Sequence, residues 1–409
     1  MMNFLNSMAH KRIELEEYLT GDFATEILSV FIGISRSDLR PRVSVAKSIP
    51  FFYVDTNRAL HLSLALQLSI ESRYTPVLLT DYHFTETSTY TISAPKEKMM
   101  GPQNLDKNYT LTDYAPQVFK AIRKHFGIKE ESLMASVGIE SLLMRMVFTG
   151  EFASFQQIGS YGKSGSIFYY SFDGEFMLKT VMEKEALCLM ARLKEYYEHI
   201  TKAEYKPTSP GTFIVPYIGL LRISTGPSNN LYICIMKNLF SKQNSIDEIY
   251  DLKGSKEGRT TPLEDRKPGI PLKDLDFDKD RASIYIPKAN HQNFHANIGV
   301  DASFLCNTMQ TMDYSFLLGI HRVRNDTLGL KGDKNEDLNI TPDGGWVSSD
   351  RKEIYYVGII DYLVEFGKLK KAEVLVKGFT ASKEDISVSD PKSYHLRFIE
   401  TFKKIISTK

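Results

Sequence analysis

The sequence predicts an α+β protein, built as one bilobal unit or as two domains. Three observations carry that reading. Asp173-Gly174 and Gly226-Pro227 each stand between strand-like runs, the pattern of antiparallel hairpins. Segments such as "EKEALCLMARLKEYYEHI" space their apolar residues three and four apart, as helices do. The chain has 409 residues, 42% of them hydrophobic, which is enough for a large core.

Residues 1–45 show no clear pattern. "AKSIPFFYVD" reads as strand-like and Leu60 to Glu71 as a helix, while "TPVLLTDYHFTETSTYTIS" alternates as a sheet does. After a loop over 95–108, "DYAPQVFKAIRKHFG" predicts a helix with Asp113 as cap, Pro116 in its first turn and Gly127 at its end. Val118, Ile122 and Phe126 form its apolar stripe.

"IFYYSF" and "EFMLKTV" flank Asp173-Gly174 as strands, because aromatic and branched residues suit a pleated surface. In the helix after them Ala186, Leu189, Leu193, Tyr197 and Ile200 recur at helical spacing. "GTFIVPYIGLLRIS" and "NLYICIMKNLF" form the second hairpin. Residues 254–282, polar and broken by Pro262, Pro268 and Pro271, read as a long surface loop. A helix then runs into "TMDYSFLLGIHRV", 324–352 read as a variable loop, and "EIYYVGII" is a strand ending at Asp361. "SYHLRFIETFKKIIS" closes the sequence as an amphipathic helix.

Lys and Arg number 51 against 50 Asp and Glu, a net charge of +1, so global charge gives no argument for nucleic acid. Cys188, Cys234 and Cys306 lie too far apart for a metal motif or a disulfide framework, which fits a reducing interior compartment. The first residues lack the apolar core of a signal peptide, and no apolar run reaches the roughly 20 residues a membrane span needs. A membrane role would be peripheral.

"IGSYGKSGSIFYY" looks at first like a phosphate-binding P-loop. Gln157 stands where that motif needs glycine, and a strand comes next where it needs a helix. The glycines Gly159, Gly162 and Gly165 still allow backbone amides to approach phosphate oxygens. Phosphoryl transfer needs a cover over the phosphates, a cation on them, a metal carboxylate and a group beside the attacking hydroxyl. The order of elements supplies these from the glycine hairpin, Lys179, Asp361 and Asp313, with Glu185 placed to hold Lys179 by an ion pair. Ordinary readings stand beside each: a turn, an edge lysine, two helix caps. His321 reads as a structural hydrogen-bonding residue, and Tyr169, Tyr170, Tyr196 and Tyr197 as packing. Lys120, Arg123 and Lys124 read as a solvated helix face or part of a basic surface. The His-Arg-Asp and Asp-Phe-Gly motifs of protein kinases are absent.

With these residues in view, the sequence resembles the phosphatidylinositol phosphate kinase family. "YDLKGS", "MDYSFLLGIH" and "VGIIDYL" look like its signatures, and "DYAPQVFKAIRKHFGI", "FMLKTVMEKEA", "IPLKDLDF" and "ISVSDPKSYHLRF" match in order. The resemblance runs from about residue 60 to the C-terminus. It implies a kinase-like bilobal fold: an N-lobe over 46–236 with an antiparallel sheet plus helices, and a C-lobe over 237–409 with a smaller sheet and helices. The C-lobe would include an activation segment at 361–390, and residues 1–45 would be an extension. It implies ATP and Mg²⁺ as cofactors and transfer of the γ-phosphate to an inositol hydroxyl.

Carried over by motif, Lys179 would hold ATP phosphates with Glu185 orienting it, under the cover of Gly162, Lys163, Ser164 and Gly165. Met236 and Leu239 belong to the hinge under the adenine. Asp313 takes the catalytic-loop role with Asp251 and Lys253, and Asp361 binds Mg²⁺. Arg259 keeps the place associated with the lipid's existing phosphate, although Lys256-Glu257-Gly258 replaces the family's neighbouring basic residues.

"FGKLKKAEVLVKGF" is apolar and basic and would meet anionic headgroups through Lys370 and Lys371. Glu373 comes after that lysine pair, where the family's 5-kinases carry glutamate and its 4-kinases alanine. The resemblance therefore implies a phosphatidylinositol 4-phosphate 5-kinase, peripheral at the cytoplasmic face of membranes, with a phosphoinositide as partner, no nucleic acid, and a homodimer left open. A 4-kinase on phosphatidylinositol 5-phosphate and an inactive phosphoinositide-binding scaffold are the rivals.

Overall fold

The computed structural model describes residues 66, 70, 78–92, 109–138, 155–158, 166–171, 173–202, 211–224, 226, 229–240, 245–267, 269–324, 339–341, 343–366 and 390–408. Expectations for 1–65, for the 95–108 loop, for the glycines at 159–165 and for Lys370, Lys371 and Glu373 fall outside these residues.

Two antiparallel sheets and the helices beside them make the fold, an α+β arrangement of bilobal, kinase-like form. The larger sheet has seven strands in the order β1-β2-β6-β7-β5-β4-β3. These are β1 (Thr87–Ile92), β2 (Tyr109–Tyr114), β3 (Phe155–Ile158), β4 (Phe168–Ser171), β5 (Phe176–Val181), β6 (Tyr217–Ser224) and β7 (Asn230–Lys237). The predicted Asp173-Gly174 turn forms. Gly174 takes a φ of 72° between β4 and β5, a region glycine enters without a Cβ penalty. The second hairpin joins β6 to β7. Tyr232 to Met236 are all buried, which makes β7 a central strand.

The smaller sheet has four strands in the order β11-β12-β10-β8. They are β8 (Glu248–Leu252), β10 (Ser315–Arg322), β11 (Trp346–Val347) and β12 (Glu353–Ile360); β9 (Ile284–Tyr285) instead pairs in parallel with β13 (Ile406–Ser407). One apolar core runs through both sheets.

The helices are α1 (Asp81–Thr85), α2 (Pro116–His125), α3 (Glu130–Val137), α4 (Glu183–Ala191), α5 (Leu193–Ile200), α6 (Asp274–Asp280), α7 (Lys288–Asn307) and α8 (Pro391–Ile405). Several depart from expectation. Residues 81–85 are helical inside a segment that alternates like a strand, and β1 starts only at Thr87. Asp113 does not cap α2; it lies in β2, paired with Ser88 and Leu221. Ala115 takes the cap position with φ 45°, and Gly127 at φ 66° ends the helix as expected. The helix expected over 183–200 breaks at Arg192, which leaves helical geometry and bonds Glu365 at 2.7 Å. The supposed loop 254–282 contains α6, whose Asp274 and Asp276 are buried.

Arg123 is not a solvated residue. It is buried, and it donates to both oxygens of Glu130 and to the Ile218 carbonyl. His321 donates from Nδ1 to the Ser245 carbonyl, a structural bond as expected. All three cysteines are buried, and burial pushes the Cys188 thiol up to about 12.

Helix α8 braces the smaller sheet. Asp390 caps it by accepting from the Lys392 and Ser393 amides, each at 3.1 Å. Tyr394, Phe398, Phe402 and Ile405 form its buried stripe. Tyr394 and Phe398 pack on Tyr314, and Phe402 packs on Phe316, so the stripe covers the start of β10. The Tyr394 hydroxyl also donates to the Tyr314 carbonyl.

Candidate functional site

Three adjacent strands deliver the candidate side chains to one end of the smaller sheet. In the β10/β12 pairing Ser315 faces Ile360, so Asp313 just before β10 and Asp361 just after β12 leave the sheet side by side. The chains stay close beyond the strands, since the Met312 amide donates to the Val364 carbonyl at 3.0 Å. In the β10/β8 pairing Leu317 faces Asp251, which brings Asp251 and Lys253 to the same end. Asp313 and Asp361 both adopt left-handed backbone, at φ 63° and 61°. Aspartate tolerates that region better than most residues, and such conformers gather at functional sites.

Lys179 arrives from the other sheet. It sits on β5 opposite Phe168 on one side and Cys234 on the other. Its side chain crosses to Asp361 and bonds Oδ1 at 2.5 Å. The Lys179 side chain is 5% exposed and that of Asp361 35%. Burial works against the ammonium charge, but Asp361, with Glu185 behind it, outweighs burial and holds the Lys179 pKa above its ordinary value. The expected Lys179–Glu185 ion pair is not the one formed. Glu185 is buried and its Oε2 accepts the Met182 amide at 2.7 Å, an orphan donor at the start of α4. Glu185 thus acts on Lys179 through its charge rather than by contact.

Lys253 bonds Asp313 Oδ1 through Nζ at 2.7 Å. Its backbone is held from below: Asp274 Oδ1 accepts the Lys253 amide at 2.9 Å and the Gly254 amide at 2.7 Å. Gly254 has φ 71°, and a Cβ there would stand 2.6 Å from Thr401 Oγ1 on α8, so the loop lies flat against that helix. Sequence reasoning missed Asp274. The signal available was the acidic "KDLDFD" run inside a matched motif, which composition alone assigns to a solvated loop.

Arg259, expected to face the lipid's existing phosphate, is 9% exposed in this structure and bonded to carboxylates. Nε donates to Asp274 Oδ2 at 2.6 Å and Nη2 to Asp251 Oδ1 at 2.8 Å, and Nη2 also reaches the Asp251 carbonyl. These two carboxylates raise its pKa above the usual arginine value against the opposing effect of burial. Burial also pushes Asp251 upward, but Arg259 and Lys253 prevail and hold its carboxyl below the usual range. Arg259 is the brace between the 251–255 loop and α6.

Met236 and Leu239 lie at the edge between the sheets. Met236 is buried in β7, paired with Met177. A Cβ at Gly358 of β12 would meet Val215 at 2.5 Å and Leu239 at 3.1 Å, so Gly358 lets Leu239 close onto the strand that ends in Asp361. Behind Asp361 a directed chain of bonds runs through buried tyrosines. The Tyr217 amide donates to the Tyr196 hydroxyl at 2.7 Å, Tyr196 and Tyr362 hydroxyls meet at 3.0 Å, and Tyr362 donates to the Val215 carbonyl at 2.9 Å. Nearby, fully buried Asp301 on α7 accepts from His199 on α5 at 2.7 Å, from Thr212 and from the Phe213 amide.

The arrangement can do the chemistry of an anionic polyphosphate. A buried ammonium faces a partly exposed carboxylate, and a second carboxylate with its own lysine stands beside it. Mg²⁺ is commonly held by one or two carboxylates plus substrate phosphates, so Asp361, with its exposed oxygen surface, fits that ion without a preformed cluster. Among the described residues no three His, Cys, Asp or Glu side chains converge. No described helix is long and apolar enough to cross a membrane.

The family model described as phosphatidylinositol-4-phosphate 5-kinase matches residues 150–344 and 331–405. The chain is similar to a phosphatidylinositol 4-phosphate 5-kinase of Plasmodium falciparum, 33% identical over 72% of this chain and 18% of that protein. It is 28% identical to phosphatidylinositol 4-phosphate 5-kinase 3 of Arabidopsis thaliana, over 76% of this chain and 47% of the relative. It is 26% identical to phosphatidylinositol 5-phosphate 4-kinase type-2 gamma of Xenopus tropicalis, over 80% and 82%. The chain thus spans about a fifth of the first relative, about half of the second and most of the third. The matched regions include β5, β8, β10, β12 and α8, the elements that build the site, and the chain belongs to the phosphatidylinositol phosphate kinase family.

Proposed function

We propose that the chain is a lipid kinase that transfers the ATP γ-phosphate to the 5-hydroxyl of phosphatidylinositol 4-phosphate, forming phosphatidylinositol 4,5-bisphosphate. The observation that carries the kinase reading is the Lys179–Asp361 pair formed across the two sheets, next to Lys253–Asp313. In this reading Lys179 leaves Asp361 for the nucleotide phosphates, and Asp361 holds Mg²⁺. Held there, the ion would supply positive charge against the charge that develops on the transferred phosphoryl group. Lys253 orients Asp313, and Asp313 accepts the proton of the attacking hydroxyl. Membrane docking through Lys370 and Lys371, at the cytoplasmic face, belongs to the same proposal.

Two things support the 5-hydroxyl: Glu373 after Lys370-Lys371-Ala372, and the 5-kinase names of the Plasmodium and Arabidopsis relatives. The Xenopus relative, a 4-kinase by name, supports a second reading in which phosphatidylinositol 5-phosphate is the substrate. The deciding experiment supplies Mg-ATP and vesicles carrying either monophosphate and identifies the product headgroup. Product from the 4-phosphate, with Glu373→Ala raising use of the 5-phosphate, supports the first reading. Preference of the wild-type chain for the 5-phosphate selects the second. A folded chain that phosphorylates neither lipid overturns both.

A further inference from the structure

A pair of histidines far along α7 from the catalytic side chains has a geometry that a metal ion would complete. His291 and His295 are four residues apart on one helix and so share a face. Their rings are tilted by 67° with centroids 4.4 Å apart, and the tilt brings the two Nε2 atoms to 3.1 Å from each other. The Ile406 carbonyl oxygen, from β13, lies 3.3 Å from His291 Nε2 and acts on His295 as well. Three Lewis-basic atoms from two elements thus lie clustered together.

Hydrogen bonding serves this triangle poorly. A neutral imidazole has one N–H, and a carbonyl oxygen has none. If His295 Nε2 donates to His291 Nε2, the His291 lone pair and the Ile406 oxygen face each other as two acceptors. If His291 Nε2 donates, its one hydrogen serves both the carbonyl and His295. A cation accepts all three lone pairs together. With metal–nitrogen bonds of about 2.0–2.1 Å, two ligand nitrogens stand about 2.9 Å apart at a right angle and about 3.4 Å apart at the tetrahedral angle. The observed 3.1 Å lies between these limits.

We propose that His291, His295 and the Ile406 carbonyl form a site for an imidazole-preferring divalent cation of the zinc class, distinct from the Mg²⁺ of the catalytic centre. Imidazole nitrogen suits Zn²⁺, Ni²⁺ and Cu²⁺, whereas Mg²⁺ demands hard oxygen ligands. Both histidines are only partly buried, which leaves room for water to fill the remaining positions. Lys403 is the charged group that opposes a cation here, and its side chain is exposed to solvent. The bound ion would fasten the first turns of α7 to β13, which comes directly after α8. Since α8 covers the residues flanking Asp313, occupancy would stiffen the support of the catalytic loop without touching it.

The test uses the full chain, freed of metal by chelation, in calorimetric and melting titrations with Zn²⁺ alone and Mg²⁺ alone. The expected result is a saturable Zn²⁺ isotherm and a higher melting temperature, with no such response to Mg²⁺. His291→Ala and His295→Ala should each weaken that isotherm at least as much as a lost outer-shell contact does, about 10- to 100-fold, while Mg-ATP turnover stays at the wild-type level. Phe294→Leu, between the histidines, should keep the Zn²⁺ response and so separate ligation from damage to the helix. Absence of Zn²⁺ binding to the wild-type chain overturns the proposal. So does a Zn²⁺ isotherm that survives both histidine substitutions unchanged.

Discussion

Asp361→Asn removes one charge at almost constant shape from the ion pair that joins the two sheets. Asparagine suits the left-handed backbone at 361 as well as aspartate does, so the turn itself is not strained by the change. What changes is Lys179, whose ammonium, 5% exposed, loses its carboxylate at 2.5 Å. Breaking a fully buried pair costs about 3–5 kcal/mol and breaking an exposed one about 0–1 kcal/mol. The 35% exposure of Asp361 lets solvent screen its half of this pair, which places the cost at about 1–2 kcal/mol. At about 2–4 °C per kcal/mol the melting temperature should fall by a few degrees.

The Lys179 pKa is raised in the folded chain. The pair's contribution is therefore complete below lysine's ordinary 10.5 and is lost as pH rises through the raised value. The gap between wild type and variant should hold across neutral pH and close only in strong alkali. Turnover on phosphoinositide vesicles should drop by about 10³-fold or more, because charge that develops in the transition state loses its metal carboxylate. Affinity for metal-free ATP should hold or tighten, since Lys179 no longer has to leave a carboxylate. Scanning calorimetry, nucleotide titration and radiolabelled phosphate transfer measure the three quantities. A folded Asp361→Asn chain with turnover within about tenfold of wild type would refute the assignment.

Four further outcomes can be measured. Arg259→Ala leaves Asp251 and Asp274 facing each other without their guanidinium and should cost about 3–5 kcal/mol; Arg259→Lys should not restore the melting temperature, because one ammonium cannot reproduce the fork that bridges two carboxylates. Asp274→Asn turns an amide N–H₂ toward a donor on one side of that brace and should lower kcat on lipid vesicles more than it raises KM for ATP; a change in KM alone would count against it. Asp251 is held below the carboxylate value of 3.8, so its contribution is present above that pH and is lost as pH falls from 3.8 through its folded value, which acid titration of the melting temperature in wild type and Asp251→Asn would show as converging curves. Lys370→Glu with Lys371→Glu should abolish sedimentation with anionic vesicles while leaving ATP titrations intact; retained sedimentation would place membrane contact elsewhere.

Features fixed by neighbouring residues were legible in the sequence. Asp173-Gly174 makes its turn through local backbone preference, Lys179 falls on the strand after it, and Asp361 ends a hydrophobic strand as read. The stripe on α8 comes from spacing alone. What escaped was set by contacts distant in the chain. Asp113 has the chemistry of a cap, but pairing with β1 and β6 claims it for a strand. Helix α6 is short and acidic, and its Asp274 and Asp276 are buried where Arg259, Arg266 and backbone amides come to meet them. Arg259 has the residue type of a phosphate ligand, and nothing local reveals that two carboxylates already occupy it. The partner of Lys179 lies 182 residues away, and the nearer Glu185 was the natural guess.

The tyrosine chain behind Asp361 joins parts of the protein that the outline of the fold divides. Tyr196 belongs to a helix packed with the larger sheet, and Tyr362 stands just past the last long strand of the smaller one. Their hydroxyls bond each other in the interior, and His199 and Asp301 tie the same two halves a turn away. Separating the halves would strip partners from the Tyr196 and Thr212 hydroxyls and the Phe213 amide on one side and from the Tyr362 hydroxyl and the Asp301 carboxylate on the other, in addition to tearing apolar surface. The two halves are therefore expected to unfold together, as one calorimetric transition rather than two.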